Sequence, residues 1–148
     1  MDCPFCAASR DDIVWQDEYC RVVLVADPDY PGYCRVIWGR HVAEMSDLAA
    51  SARHHLMNVA LAAERALRAL MNPDKINLAS LGNMVPHLHW HVIARFSGDR
   101  HFPESIWGRA QRPGLPRPAP ARDALAGRIA REFTLISTDT SSPFSITR

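Results

Sequence analysis

The sequence predicts an α+β fold: an antiparallel five-stranded sheet with one long helix and a shorter C-terminal helix. Three observations lead there. Five short segments rich in Val, Ile, Leu and aromatic residues are separated by turn-forming residues. One long segment repeats apolar residues every three or four positions, and a second, shorter one does so after a proline-rich stretch. At 148 residues the chain can bury a real core, and 47% hydrophobic with 22% charged residues is an ordinary globular balance.

Taken in order, Cys3-Pro4-Phe5-Cys6 precedes the first strand. Ile13 to Gln16 and Tyr19 to Ala26 read as two strands joined by Asp17-Glu18. Asp27-Pro28-Asp29-Tyr30-Pro31-Gly32 is a turn-rich break, and Tyr33 to Trp38 is the third strand. The long helix is expected to start with Ser46 as N-cap and Asp47 in the first turn. Its single apolar face is Leu48, Ala52, Leu56, Val59, Ala63, Leu67 and Leu70, and Asn72-Pro73 stops it. Arg53, Arg65 and Arg68 fall off that face, and the adjacent His54 and His55 point about 100° apart and are given no role. Ile76 to Leu81 is the fourth strand, Gly82 to Pro86 a turn, and Leu88 to Phe96 the fifth, so that the strands make a meander with the helix interposed.

The chemistry concentrates in the fifth strand. In His87-Leu88-His89-Trp90-His91 three imidazoles stand at alternate positions, so a strand sends all three to one face, roughly 6.6 Å apart. Leu88, Trp90 and Val92 face the core. A neutral imidazole is a good nucleophile near pH 7 when one ring nitrogen is held as a donor and the other keeps its lone pair. Cys3 and Cys6 have the spacing that lets two thiolates meet one metal ion; an idle frayed terminus is the alternative. A redox pair fits poorly, because such a pair sits where a strand meets a helix. Cys20 and Cys34, inside apolar runs, read as buried free thiols of a cytoplasmic protein.

Other functions are disfavoured by composition. A net charge of +1 gives no broad basic face for nucleic acid. No apolar run approaches the eighteen or so residues that span a membrane, and the first residues do not resemble a signal peptide.

The run His87-Leu88-His89-Trp90-His91-Val92-Ile93 resembles, without a mismatch, the His-φ-His-φ-His-φ-φ signature of the histidine triad (HIT) family, φ being apolar. The lead-in Leu81 to Pro86 and the exit Ala94-Arg95-Phe96 are similar to a bacterial branch of diadenosine-polyphosphate-hydrolase-like proteins. The resemblance covers roughly residues 1 to 108. It implies a HIT-like fold, a homodimer with one continuous sheet, and cleavage of a phosphoanhydride or phosphoramidate bond at the α-phosphate of an adenine nucleotide. The substrate would be a diadenosine polyphosphate or a nucleoside phosphoramidate. His89 would form a covalent nucleotidyl-histidine, and a protonated His91 would offset charge on the phosphate and leaving group. Asp27 would hold the ribose, and Asn77 and Asn83 the phosphates, Asn83 standing where many relatives carry the longer glutamine. Each of the three also reads as a turn former or capping amide. Cys3, Cys6, His41 and His87 match the ligands of zinc-containing relatives, a closed structural set with no position left for catalysis; no organic cofactor is implied. Tyr33 departs from the histidine that such relatives often use to support the nucleophile.

Two rivals remain open at this point, a metallo-hydrolase with the histidines around a catalytic zinc and a low-turnover nucleotide-binding sensor. The organisation expected is a catalytic domain over residues 1–108, a Pro-rich linker over 109–120, and a C-terminal helix with a mobile Ser/Thr-rich tail over 121–148. Asp123 to Phe133 supplies that helix through Leu125, Ile129 and Phe133, with Trp107 as a residue that can shape substrate choice.

Overall fold

A computed structural model describes residues 3–7 and 11–139 of the chain. A single helical turn, α1 (Pro4–Ala7), is followed by β1 (Ile13–Gln16), β2 (Cys20–Leu24) and β3 (Cys34–Trp38). Then come α2 (Ala50–Met71), β4 (Lys75–Ala79), β5 (His89–Arg95) and α3 (Arg122–Ser137). All five strands join one antiparallel sheet in the order β1-β2-β3-β5-β4.

That order is not the expected meander. β5 inserts between β3 and β4, which puts β4 on the edge. The burial of the two strands explains it: every residue of β5 except Trp90 is buried, whereas β4 buries only Ile76. A strand covered on both faces belongs inside a sheet, and a half-exposed one can serve as its edge.

One face of the sheet packs on α2. Val22, Cys34, Val36, Leu88 and Val92 meet Leu56, Val59, Ala63 and Leu67 in one cluster, each large side chain contributing roughly 1.5–3 kcal/mol by leaving water. Burial raises the Cys34 thiol to about 12, so it is an inert core group. Gly32, at φ +85°, lets the β2–β3 turn lie against the end of α2, where an added Cβ would meet the Met71 sulfur at 2.5 Å.

The helix boundaries depart from expectation at the start. Met45–Asp47 forms a separate 3-10 turn, and α2 begins after Ala49 with no side-chain cap. Leu48 is the cause: it is buried and extended, at φ −87° and ψ 147°, which breaks the helical path before Ala50. At the other end Asn72 is left-handed and its amide donates to the Arg68 carbonyl, closing the helix before Pro73 as expected.

The buried stripe of α2 is broader than one apolar face. Ala62 and Ala66 are also fully buried, whereas Leu70 is exposed. α3 covers that second stripe and lies against β1. Leu125 and Ile129 are completely buried, and the Phe133 ring meets Trp15 at 5.2 Å. Arg65 is not merely solvated: together with Arg128 it pairs with the buried Glu132 carboxylate, at 3.0 and 2.8 Å. Residues 109–121 contain no helix or strand. Most of the Ser/Thr-rich end expected to be mobile lies outside the described residues. Among the described residues no helix is long and apolar enough to cross a membrane.

Candidate active site

The opposite face of the sheet carries the polar chemistry. In β5 alternate residues share a face, and the register places Ile37 opposite His89, Arg35 opposite His91, and Ala79 opposite His91 on the other side. His87, His89, His91 and Arg95 therefore lie on one surface with Arg35, Ile37 and Asn77. No long helix covers it. Instead Phe5 packs with Val23 and Ile37 at one end, and Tyr30 and Tyr33 pack with Ile93 at the other.

The three imidazoles are buried but differently held. His87 Nε2 lies 2.6 Å from the Trp38 carbonyl. A carbonyl only accepts, so this nitrogen carries the proton and Nδ1 keeps its lone pair. That Nδ1 stands 3.4 Å from Cys3 Sγ and 3.6 Å from Cys6 Sγ, and Cys6 Sγ is 3.5 Å from His41 Nδ1. One ligand atom from each of Cys3, Cys6, His41 and His87 lies within 4.8 Å of all the others. Two thiols and two imidazole nitrogens at this spacing fit a tetrahedral zinc ion, and the Trp38 carbonyl supplies the outer hydrogen bond that orients such a ligand. Burial lowers the His87 pKa, which favours the neutral ring a metal requires.

His89 is fixed by its own backbone. Its Nδ1 donates to the His87 carbonyl at 2.6 Å, which leaves the Nε2 lone pair free of that bond. Burial holds its pKa below the ordinary imidazole value, so the ring is neutral near pH 7. The His91 ring meets His89 edge-on at 4.8 Å, and its Nδ1 is 2.5 Å from the Tyr33 hydroxyl. Tyr33 thus supports the third histidine rather than the second. Burial, followed by the charges of His89 and Arg35, pushes His91 down to about 4. In the ligand-free protein His91 is therefore neutral near pH 7. A phenol both donates and accepts; in the tautomer where Tyr33 donates to Nδ1, the other nitrogen of His91 bears the proton and can donate a hydrogen bond.

The remaining expected residues separate. Asn77 accepts from Arg95 Nη1 at 2.6 Å and lines a cleft of about 480 Å³ with Ala79, Ser105 and Trp107. Trp107 is half exposed, and its ring reaches His91 at 4.9 Å. Asp27 accepts from the Asp29 amide at 2.9 Å, a turn-forming bond, and lies near enough for its charge to reach Tyr33. Asn83 is exposed and makes no side-chain hydrogen bond among the described residues. Its turn is set by Gly82 at φ +77°, a conformation side chains rarely adopt.

Three features were not foreseen. Arg95 is almost completely buried, with Nε and Nη2 on the two oxygens of Asp99 at 2.7 and 3.1 Å and Nη2 also on the Glu104 carbonyl at 2.7 Å. Burial pushes the Asp99 carboxyl up, but Arg95 and the amides of Phe96, Phe102 and His101 outweigh it and hold the group at about 2. A strand ending in arginine with aspartate four residues later was the available signal. Arg35, mid-strand in an apolar run, was another. His55, given no role, pairs with Asp17 at 2.7 Å and packs edge-on against Tyr19 and Phe133.

Residues 7–98 match the HIT domain. The chain belongs to the histidine triad family. Among curated HIT-related proteins it is 30% identical to an AP-4-A phosphorylase of Mycobacterium tuberculosis over 126 residues, covering 81% of this chain. That alignment takes in 64% of the relative, so this HIT protein spans less than two thirds of its length. A histidine triad protein of Bradyrhizobium japonicum has a similar structure, with a TM-score of 0.68, 29% identity, and 86% of this chain and 93% of that one covered. A second, from Sinorhizobium meliloti, gives 0.67 at 27% identity, with 85% and 93% covered. A Zn-bound member from Mycobacterium smegmatis shares the fold at 21% identity, with a TM-score of 0.62 and 93% and 97% covered.

Proposed function

We propose that this HIT protein is a nucleotide hydrolase or nucleotidyltransferase that cleaves a phosphoanhydride or phosphoramidate bond at the α-phosphate of an adenine nucleotide through His89. The observation that carries it is the 2.6 Å bond from His89 Nδ1 to the His87 carbonyl, which fixes the tautomer needed for attack. The Nε2 lone pair forms the N–P bond. The bond from phosphorus to the leaving oxygen or nitrogen breaks, and its electron pair goes to the leaving group, which takes a proton. Water or inorganic phosphate then attacks the same phosphorus, the N–P electrons return to Nε2, and the attacking group loses its proton. His91, donating from the nitrogen not held by Tyr33, stabilises the phosphoryl oxygens. Asn77, beside the cleft under Trp107, and the more distant Asp27 and Asn83 are assigned to substrate binding. The likeness to the AP-4-A phosphorylase makes dinucleoside polyphosphates the first substrates to test.

Cys3, Cys6, His41 and His87 are assigned a structural zinc, which when bound would tie the N-terminus to the start of β5 and leave no open position for chemistry. A catalytic zinc held by the triad is less well supported. Both Nδ1 atoms of His89 and His91 are engaged elsewhere, and neither ring joins a cluster of metal ligands among the described residues. The assembly proposed is a homodimer through the open edge of β4, since α3 lies against β1 at the other edge. Its free, buried Cys20 and Cys34 thiols support a cytoplasmic location. Within this chain we assign residues 1–108 to the catalytic unit and residues 109–120 to a connector for α3.

The test is acid-quenched trapping of radiolabelled adenylate on the protein, with diadenosine tetraphosphate, adenosine phosphoramidate and ATP as substrates. Label is expected on wild-type protein and none on His89→Ala, whose turnover falls by at least about 10³-fold. Absence of label and of turnover with all three at saturation would favour a nucleotide sensor and sink the proposal.

A further inference from the structure

Three arginines project from the histidine-bearing face of the sheet, and two have permanent anionic partners. Arg21 is paired with Asp11 at 2.8 Å, and Arg95 with Asp99 at 2.7 Å. Arg35, directly opposite His91, forms no ion pair among the described residues, and its Nε is buried without a hydrogen-bond partner. Its guanidinium carbon lies 5.1 Å from the centre of the Phe5 ring and 6.0 Å from that of Tyr33. Phe5 in turn meets the His89 ring edge-on at 4.9 Å, and Tyr33 holds His91. Arg35 therefore stands between the aromatic supports of the two histidines assigned to chemistry.

A partly buried guanidinium with an unused donor is costly unless an anion arrives to meet it. The contact with the Phe5 ring holds the group in place without consuming its hydrogen bonds, and although the guanidinium also interacts with the Tyr33 hydroxyl, Nε stays available for an oxyanion. Arg35 brings a permanent positive charge to this surface that no carboxylate matches among the described residues, unlike Arg21 and Arg95.

We infer that Arg35 is a substrate-contacting residue that donates hydrogen bonds to a phosphoryl oxygen of the nucleotide on the face where His89 attacks. This rests on the function proposed above and deepens it by naming the group that neutralises the phosphate. The guanidinium keeps all its protons throughout. It stabilises negative charge on the non-bridging oxygens as the N–P bond forms and again as it breaks. Nothing in an Arg-Val-Ile strand segment announces such a role, because an isolated arginine in a strand ordinarily reaches solvent.

The experiment compares full-length wild type, Arg35→Leu and Arg35→Lys in two measurements. Calorimetry gives affinities for AMP and for adenosine, and steady-state kinetics with diadenosine tetraphosphate give kcat and KM. For Arg35→Leu we expect AMP to bind at least about tenfold more weakly while adenosine stays within about twofold, and kcat/KM to fall by about 10²-fold. Arg35→Lys, which keeps the charge and loses the fork, falls between the two. Added guanidinium ion at millimolar concentration restores part of the Arg35→Leu rate. Equal weakening of AMP and adenosine would place Arg35 on the base or ribose and overturn the phosphate assignment. So would labelling of His89 at the wild-type rate in Arg35→Leu, which leaves the proposed function standing. Conversely, a wild type that binds AMP through Arg35 but never forms the adenylate would refute that function and retain this inference. If Arg35→Leu does not fold, the AMP-to-adenosine affinity ratio of Arg35→Lys decides alone: an unchanged ratio overturns the assignment.

Discussion

The strand that carries the triad is fastened at both ends, and the two fastenings differ in kind. Just before β5, His87 converges with Cys3, Cys6 and His41, four groups from three separated parts of the chain with no charge pairing among them. At the far end, Arg95 is locked to Asp99 four residues on, and the same carboxylate collects the amides of Phe96, His101 and Phe102. The first fastening would draw its strength from the zinc proposed there, and the second is complete in the bare chain. His89 and His91 sit between them, each oriented by one short hydrogen bond. With Arg95 and Asp99 paired, the far end of this histidine strand is held without any added ion.

Asp99→Ala tests the stronger end. It strands a buried guanidinium, and urea unfolding should show a loss of about 3–5 kcal/mol with metal content unchanged. A loss under about 1 kcal/mol would erase the contrast, and loss of metal would show that the two ends are not independent. At the other end, Cys3→Ser combined with Cys6→Ser should abolish zinc binding. It should also lower the Tm to that of chelator-treated wild type, with kcat on diadenosine tetraphosphate within about fivefold of wild type. A variant that keeps its Tm but loses turnover would instead favour a catalytic metal.

Between the ends, Tyr33→Phe removes the hydroxyl hydrogen-bonded to His91 Nδ1. About 1 kcal/mol, or a five- to tenfold drop in kcat with KM little changed, is expected. An effect on KM alone would move Tyr33 from the chemistry to binding.

The last test is in pH, and near pH 7 it has no effect. With His91 held at about 4 against an ordinary 6.5, the folded state binds its proton less readily than the unfolded chain. The resulting stability is fully present above about 6.5 and is lost as pH falls through that range toward 4. An NMR titration of the ligand-free protein should place the His91 midpoint near 4; a midpoint near 6.5 would mean that the ring is solvated rather than enclosed.

Much of this was legible in the sequence because it depends on local period. Alternation of His87, His89 and His91 with Leu88, Trp90 and Val92 assigns the strand and its faces without tertiary knowledge. The two-residue cysteine spacing singled out Cys3 and Cys6, whose sulfurs converge with His41 and His87, and Asn72-Pro73 named the helix end. The start of α2 was misread because Ser46 has the right chemistry for a cap, while the burial of Leu48 decides the backbone there. Leu70 belonged to the right pattern and still lies exposed, because the last turn of α2 is covered on the Leu67–Met71 side, which faces Gly32.

By itself the sequence determined which residues face together along β5, that Cys3 and Cys6 have the spacing at which two thiols can meet one metal ion, and that one long helix covers one side of a sheet. These follow from covalent spacing and hydrophobic period. Only the tertiary structure decided that β5 lies inside the sheet, that Tyr33 reaches His91 rather than His89, that Arg95 is a buried anchor, and that Arg35 stands beside the triad with no ion pair among the described residues. Those outcomes turn on which strand becomes its neighbour and which charge finds a partner across tens of residues. A one-dimensional pattern holds no distances between such groups.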